Sequence, residues 1–171
     1  MKTKRFLIVL LLAMHHIHAI QCNERFIDTN IIWQNLETCG LGEKKYFIKL
    51  NSDTLIHTNT YKKVMYSENS SFNQTEHAGY IREENDKLYY RDKATQQEGL
   101  LYDFNLTVGD TIHIVNYFLN STPCTLTLIR IDSILINSQQ VRKFVFDNTL
   151  EYWIEGIGSS FGLLNVGYRD T

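Results

Sequence analysis

The feature that most constrains the fold is a ladder of short aromatic and β-branched runs between Tyr61 and Ile112. Turn-forming residues interrupt these runs about every 8–12 residues, a spacing that is typical of consecutive antiparallel strands. Side chains alternate between polar and apolar, as in residues 125–129, which predicts that each strand buries one face. The chain has a single proline, Pro123, and is rich in residues that favour strands. We therefore predict an all-β fold.

About ten strands are predicted, and no segment has the periodicity of a helix. So many consecutive strands can protect their edges by closing an antiparallel meander into a barrel-like fold or by forming a two-sheet sandwich. We favour the barrel-like meander. The predicted strand segments are 31–33, 46–50, 53–57, 61–66, 79–82, 87–91, 100–104, 111–119, 125–131, 133–136, 141–146 and 152–154.

Residues 53–66 and 132–146 form a weak internal repeat. Each segment has an Asp followed by Thr or Ser, an apolar run, a polar turn, and a basic pair before an aromatic-rich strand. We interpret the repeat as two hairpins of similar geometry, in which the Asp side chain satisfies backbone donors at the strand entry.

The N-terminus has the pattern of a secretory signal. Lys2, Lys4 and Arg5 precede an apolar run that is too short to span a bilayer. We predict a signal peptide over residues 1–19, a loose segment over 20–29, and a single β-domain over 30–171. Lipidation of Cys22 is disfavoured because Gln21 precedes it, where lipid attachment signals have a small residue.

Charge limits the classes of partner. Three of the seventeen basic residues and none of the nineteen acidic ones lie in the signal, so the remaining chain has fourteen basic residues and a net charge of −5. This acidic balance argues against nucleic acid and anionic membrane surfaces as partners. No second apolar stretch approaches the length of a membrane span, and we predict none in the mature chain.

Cysteine and histidine patterns indicate neither a metal site nor a cofactor. The chain has three cysteines, and both Cys39–Cys124 and Cys22–Cys39 are candidate disulfides in an oxidising compartment. Beyond the signal, His57, His77 and His113 are isolated and lack the spacing of metal ligands.

Aromatic residues supply the candidates for ligand binding. Adjacent aromatics on a strand point to opposite faces, so one of each pair is expected to be exposed or half exposed and able to stack on sugar rings or anchor a protein partner. The candidate ligand-binding residues are Trp153, Glu155, Tyr102 and Tyr90.

No catalytic residue is assigned. Gly158–Gly162 matches the G-x-S-x-G pattern around Ser160, but the pattern lacks a following Asp and His, so a glycine-rich turn is the better interpretation. Glu155 lies beside Trp153 and is the carboxylate that a glycan hydrolase would use, together with a second carboxylate about 5–9 Å away.

Several segments, in order, resemble a family of secreted Bacteroidetes proteins. They are YKKVMYS, YIREENDKLYYRD, EGLLYDFNLTVGDTI, IDSILI and WIEGIGSSFGLL, and the resemblance extends from about Trp33 to Leu164. Members of this family often carry a C-terminal sorting tail for type IX secretion. No such tail precedes Thr171, so we expect a chain that is short at its C-terminus or that reaches only the periplasm.

The resemblance brings no catalytic residues. It implies O-glycosylation at Asp-Ser/Thr-apolar sequences, with Thr54, Thr111 and Ser133 as candidate acceptors. The competing interpretation is that Asp followed by Thr or Ser starts strands. Under a bacterial origin, the four N-x-Ser/Thr sequences carry little weight. They begin at Asn69, Asn73, Asn105 and Asn120.

The leading hypothesis is an exported, non-catalytic β-domain that acts in binding or display, in the periplasm, at the cell surface or outside the cell. Its partner would be a glycan, a small ligand in a barrel mouth, or a protein. The alternatives are an extracellular glycan hydrolase that uses Glu155, and a structural envelope or adhesion component.

Overall fold

The computed structural model describes residues 27, 29–39, 42–119, 123–147 and 150–167. The predicted signal peptide, most of the segment 20–29, and Cys22 lie outside the described residues. Within them the chain forms eleven strands and no helix, which confirms the all-β prediction. The strands are β1 (Ile32–Cys39), β2 (Gly42–Ile56), β3 (Asn59–Ser67), β4 (Glu76–Glu84), β5 (Lys87–Asp92), β6 (Glu98–Asp103), β7 (Thr111–Ile114), β8 (Cys124–Ile136), β9 (Gln139–Phe146), β10 (Tyr152–Ile154) and β11 (Gly158–Ser159).

The strands form two curled antiparallel sheets. The first holds β1 to β6 and the second holds β7 to β11, and each strand pairs only with its neighbours in sequence. At the junction between the sheets, the Val115 amide donates to the Leu100 carbonyl at 3.2 Å. Gly99 fits tightly there, since an added Cβ would overlap the Val115 carbonyl. The chain is therefore one meander, consistent with both predicted architectures.

The C-terminal segment contacts the first sheet at the edge opposite β6, which is formed by β1 and its neighbour β2. The Trp33 indole donates to the Ile157 carbonyl at 2.7 Å. The Asn165 amide donates to the Tyr46 hydroxyl at 2.6 Å. These bonds connect residues more than a hundred positions apart and join β1 and β2 to the end of the described chain.

Two predicted breaks lie within continuous strands. The break between residues 50 and 53 is a bulge, since β2 pairs with β3 through a register shift between Leu50 and Asp53. At the second predicted break Asp132 pairs directly with Lys143, and the bulge of β8 lies earlier, between Leu128 and Arg130. A bulge bends a strand without ending it, so the separate segments predicted here were wrong. The predicted strand 111–119 ends at Ile114, because the Asn116 amide donates to carbonyls of the C-terminal segment at 2.8 and 2.9 Å.

The two repeat segments form hairpins of matching register. Asp53 pairs with Lys62 in the first and Asp132 pairs with Lys143 in the second, which is one residue pair longer. Leu55 and Leu135, near the tips, are 70% and 75% exposed.

The core lies between the two sheets and is filled by aromatic side chains. Trp153 lies 5.0 Å from Tyr102 and 4.3 Å from Phe146, measured between ring centroids, while Phe104 lies 5.4 Å from Phe144. Each such side chain contributes about 1.5–3 kcal/mol when it is fully buried. Among the described residues, no helix has the length and apolarity needed to cross a membrane.

Candidate functional site

Three of the four predicted ligand-binding residues are core residues. Trp153 and Tyr102 are fully buried and Tyr90 is 1% exposed. The Tyr102 hydroxyl accepts from the Ser159 amide at 3.0 Å and donates to the Leu163 carbonyl at 2.7 Å. The Tyr90 hydroxyl donates to a carbonyl of β4 at 2.8 Å. In this structure these rings are not on an accessible surface, so they hold the fold together and do not form a stacking platform.

A buried carboxylate outside the predicted ligand-binding set lies beside Trp153. Glu151 is 2% exposed and accepts from the Trp153 indole at 2.8 Å, the Ser159 hydroxyl at 2.9 Å and the Gly167 amide at 2.9 Å. Burying a charge is tolerated only when it is well hydrogen-bonded, and these donors meet that requirement. Glu151 therefore joins β10, β11 and the C-terminal segment.

Glu155, the fourth candidate, is ion-paired. The Arg142 guanidinium donates to its two oxygens at 2.6 and 2.9 Å. These hydrogen bonds hold the pKa of Glu155 below its ordinary value, against the opposing effect of partial burial. A carboxyl group that acts as a general acid near neutral pH needs a raised pKa, so this pairing instead gives Glu155 a role in joining β9 to the turn that follows β10.

Ser160 lies in a glycine turn, as interpreted from the sequence. Its hydroxyl accepts from the Tyr152 amide and donates to the Leu150 carbonyl. Gly158 and Gly162 have φ values of 123° and 107°, which only glycine adopts readily.

The disulfide predictions fall on residues that the structure describes only in part. Cys124 is buried at the start of β8. The side chain of Cys39 and all of Cys22 lie outside the described residues, so both pairings stay predictions.

The three candidate O-glycosylation residues lie on strands. Thr111 and Ser133 are exposed and Thr54 is half-buried. Only Thr111 starts a strand. The carboxylate of the preceding Asp110 accepts hydrogen bonds from the backbone amide and the hydroxyl of Thr107, each at 2.8 Å. The Asp residues before Thr54 and Ser133 lie inside continuous strands, so strand initiation explains one of the three sequences.

The outer face of the first sheet carries a cluster of tyrosines and charged residues. On β4, Ile81 points into the core, so Tyr80 and Arg82 point away from it. The strand register extends this pattern into two rows. The first row is Lys63, Tyr80, Arg91 and Glu98, and the second is Tyr61, Arg82, Tyr89 and Leu100. We call this surface, together with the neighbouring His77, the tyrosine face.

Arg82 lies at the centre of the tyrosine face. Its Nη2 and Nε atoms donate to Glu98 at 2.6 and 3.1 Å, and its Nη1 atom donates to Glu84 at 2.7 Å. The guanidinium also lies 4.1 Å from the centroid of the Tyr89 ring, within the range of a cation–π contact. Tyr61 donates its hydroxyl proton to Glu98. Arg82 and Tyr61 are 9% and 3% exposed although they point away from the core.

The hydrogen bond between Tyr61 and Glu98 spans the tyrosine face. Tyr61 lies on β3 and Glu98 on β6, with two strands between them. Neighbouring strands are about 4.7–4.9 Å apart, so a flat sheet would separate these two backbones by about 14 Å. The two side chains lie across the sheet and meet in a hydrogen bond. This contact holds both side chains over the intervening strands, beside Arg82.

The central ion pair stays charged over a wide pH range. Partial burial alone would raise the pKa of Glu98, but hydrogen bonds from Arg82 and Tyr61 hold it below its ordinary value. The same hydrogen bond to Glu98 raises the pKa of Arg82. Burial, followed by the hydrogen bond to Glu98, raises the pKa of the Tyr61 hydroxyl. Arg82 and Glu98 therefore neutralise each other in place.

Accessible aromatic groups lie around this ion pair. Tyr80, Tyr89 and His77 are each partly exposed, and the His77 ring lies edge-on to Tyr80 at 4.6 Å. The His77 Nε2 atom lies 2.9 Å from the Gly79 carbonyl. Partial burial lowers the pKa of His77, and the nearby charges of Lys93 and Lys63 lower it further.

The sequence did not identify the tyrosine face, although alternation along a strand predicted that one residue of the pair Tyr89–Tyr90 would be exposed or half exposed. The structure shows that this residue is Tyr89, which is partly exposed. The comparisons with known proteins add no assignment: no protein-family model matches the chain, and neither curated proteins nor solved structures give a match.

Proposed function

We propose that the protein is an exported, non-catalytic β-domain that binds a glycan on the tyrosine face. The observation that carries the proposal is the pair of partly exposed rings, Tyr80 and Tyr89, on a sheet surface held by the Arg82–Glu98 ion pair. Tyrosine rings offer an apolar face to sugar rings and a hydroxyl for hydrogen bonding. A site on strands with a locked supporting shell binds with little ordering cost.

The spacing of the two rings supports an extended ligand. Arg82 is directly opposite Tyr89 and Tyr80 is directly opposite Arg91, so Tyr80 and Tyr89 are diagonal neighbours on adjacent strands. Diagonal neighbours are about 7–8 Å apart, within reach of a single chain that crosses both. An open sheet surface suits an oligomeric or polymeric glycan better than a small enclosed ligand.

Two other hypotheses receive less support. A small ligand in a barrel mouth would need interior space, and the interior is occupied by the ring contacts of Trp153, Tyr102 and Phe146. A hydrolase would need a carboxyl group with a raised pKa, whereas the pKa values of Glu98 and Glu155 are both lowered. Export rests on the N-terminal signal pattern, and the resemblance to secreted Bacteroidetes proteins agrees with it.

The experiment is affinity electrophoresis of the purified protein in gels that contain a panel of soluble polysaccharides. We expect at least one polysaccharide to retard the protein, and Tyr80→Ala and Tyr89→Ala each to weaken that binding about tenfold, equal to about 1.4 kcal/mol. Tyr152→Ala is the matched control, since Tyr152 is a partly exposed tyrosine on the second sheet.

Binding must depend on the tyrosine face and not on folding alone. Each variant is therefore checked for an unchanged unfolding midpoint in urea. The proposal fails if no polysaccharide retards the wild-type protein, or if Tyr152→Ala weakens binding as much as Tyr89→Ala does. Retention of a protein partner in place of a glycan would favour the display or adhesion hypothesis.

A further inference from the structure

The charges around the exposed ring of Tyr80 point to a particular class of glycan. In the strand register, Lys63 is directly opposite Tyr80 on one side and Arg91 is directly opposite it on the other. Both basic residues are half-buried, and both point away from the core. Lys93 in the following turn is exposed, and it lies close enough to His77 to lower the pKa of that ring through its charge, after the larger effect of burial.

These three cations are not used up by ion pairs. Among the described residues, no carboxylate oxygen lies within ion-pairing distance of Lys63, Arg91 or Lys93. The Arg91 Nε atom donates to the Gln96 side chain at 3.2 Å, which leaves its other donors available. The two carboxylates beside Arg82, those of Glu98 and Glu84, already accept hydrogen bonds from it.

The tyrosine face is therefore a basic patch on an acidic protein. The whole chain has a net charge of −2, yet the cations around Tyr80 exceed the available carboxylates. Lysine and arginine have donors and no acceptor, so the groups that flank Tyr80 can only donate. A sugar hydroxyl uses such donors weakly, whereas a carboxylate or sulfate accepts from them in short, charge-assisted hydrogen bonds. The planar fork of Arg91 suits either anion.

We infer, on the basis of the proposed function, that the glycan bound on the tyrosine face is anionic, with carboxylate or sulfate groups that contact Lys63 and Arg91. The sugar rings lie on Tyr80 and Tyr89 while the acidic groups reach the basic side chains beside them. Nucleic acid is the other anionic polymer that stacks on aromatic rings. A nucleic-acid strand carries a phosphate charge about every 3.4 Å, so the chain's net negative charge opposes it more strongly than it opposes a glycan in which the acidic groups are more widely spaced.

The test uses ligands that differ only in charge. Binding of the full chain is measured by isothermal titration with polygalacturonate and its methyl ester, with chondroitin sulfate and unsulfated chondroitin, and with single-stranded DNA. We expect one anionic glycan to bind about tenfold or more tightly than its less charged counterpart, and its affinity to fall when salt shortens the Debye length from about 10 Å to 3 Å. The two glycan pairs distinguish carboxylate from sulfate recognition.

Matched variants locate the effect on the tyrosine face. Lys63→Gln and Arg91→Gln are each expected to weaken anionic binding about tenfold, the size of a lost charge-assisted hydrogen bond. Lys143→Gln and Arg130→Gln, which remove the same charges from β9 and β8, are expected to change binding less than about twofold because both residues lie on the second sheet, and charges farther away than the Debye length are largely screened.

The outcomes separate this inference from the proposed function. Equal binding of charged and neutral glycans would overturn the inference and leave glycan binding on the tyrosine face intact. Tighter binding of single-stranded DNA than of any polysaccharide would overturn the inference in favour of nucleic acid. Wild-type affinity in both Lys63→Gln and Arg91→Gln would also overturn it. Failure to bind any polysaccharide would overturn both.

Discussion

Replacing Arg82 with methionine tests whether the tyrosine face depends on its central cation. Methionine keeps most of the length of the side chain and its apolar contact with Tyr89, but it removes every donor. Glu98 then loses three of its hydrogen-bond contacts and keeps the hydroxyl of Tyr61. The carboxylate is left in a site where its side chain is only 21% exposed.

The magnitude follows from this partial burial. Removing one partner of a buried ion pair costs about 3–5 kcal/mol, because the remaining charge is uncompensated. Water reaches part of Glu98 and Tyr61 remains as a donor, so we expect a loss of about 2–3 kcal/mol in the free energy of unfolding. For a domain of this size, that loss lowers the melting temperature by about 5–10 °C.

The loss should depend on pH in a defined direction. In the wild-type protein the folded-state pKa of Glu98 is below its ordinary value of 4.5. Its ion pair therefore contributes stability that is fully present above pH 4.5 and is lost as the pH falls through the lowered pKa. Arg82→Met lacks this contribution at every pH, so the difference from wild type is largest near neutral pH and narrows in acid.

Urea unfolding at pH 7 and at a series of lower pH values measures these differences. Arg130→Met is the control, because Arg130 is 63% exposed in its side chain and should change stability by less than about 0.5 kcal/mol. In the double variant Arg82→Met/Glu98→Gln the stranded charge is absent, and we expect a recovery of about 1 kcal/mol. Wild-type stability in Arg82→Met at pH 7, or strict additivity in the double variant, would refute the reasoning.

Three further predictions concern the fold, and equilibrium unfolding measures each of them. Glu151→Leu leaves three buried donors without an acceptor and should lower the free energy of unfolding by about 3 kcal/mol or more. Glu151→Gln keeps a carbonyl and should lower it clearly less. Equal losses in the two variants would contradict the role assigned to Glu151. Gly99→Ala should cost about 2 kcal/mol or more because its methyl group overlaps the Val115 carbonyl, and an unchanged midpoint would argue against the tight junction between the sheets. Leu55→Ser and Leu135→Ser should each change stability by less than about 0.5 kcal/mol, since both side chains are mostly exposed, and a larger loss would place the hairpin tips in contact with other parts of the protein.

Local signals were sufficient for the fold class. Alternating side chains and turn residues depend on a few neighbouring positions, so the all-β meander, the neighbouring strands predicted at 79–82 and 87–91, and the two matching hairpins of the repeat were predicted and are observed. The bulges were not predicted. A bulge adds one unpaired residue to a ladder, and at Asn51 and Ser52 it has the same polar composition as a turn.

The candidate site depended on information that no local pattern contains. From sequence alone, the period of two in a strand places Tyr89 and Tyr90 on opposite faces, but it does not say which face meets the second sheet. The register shift between Leu88 and Tyr89 changes the pairing within this strand as well.

Composition and periodicity in the sequence determined that this chain forms a meander with one buried face. Only the tertiary structure decided which aromatic rings fill the core and which remain accessible, because that choice depends on how the two sheets pack. It also brought Tyr61 on β3 to Glu98 on β6, 37 residues away, by placing them on the same face of one sheet with two strands between them. A contact across two intervening strands depends on the register of all four strands, so it leaves no trace in the spacing of residues along the chain.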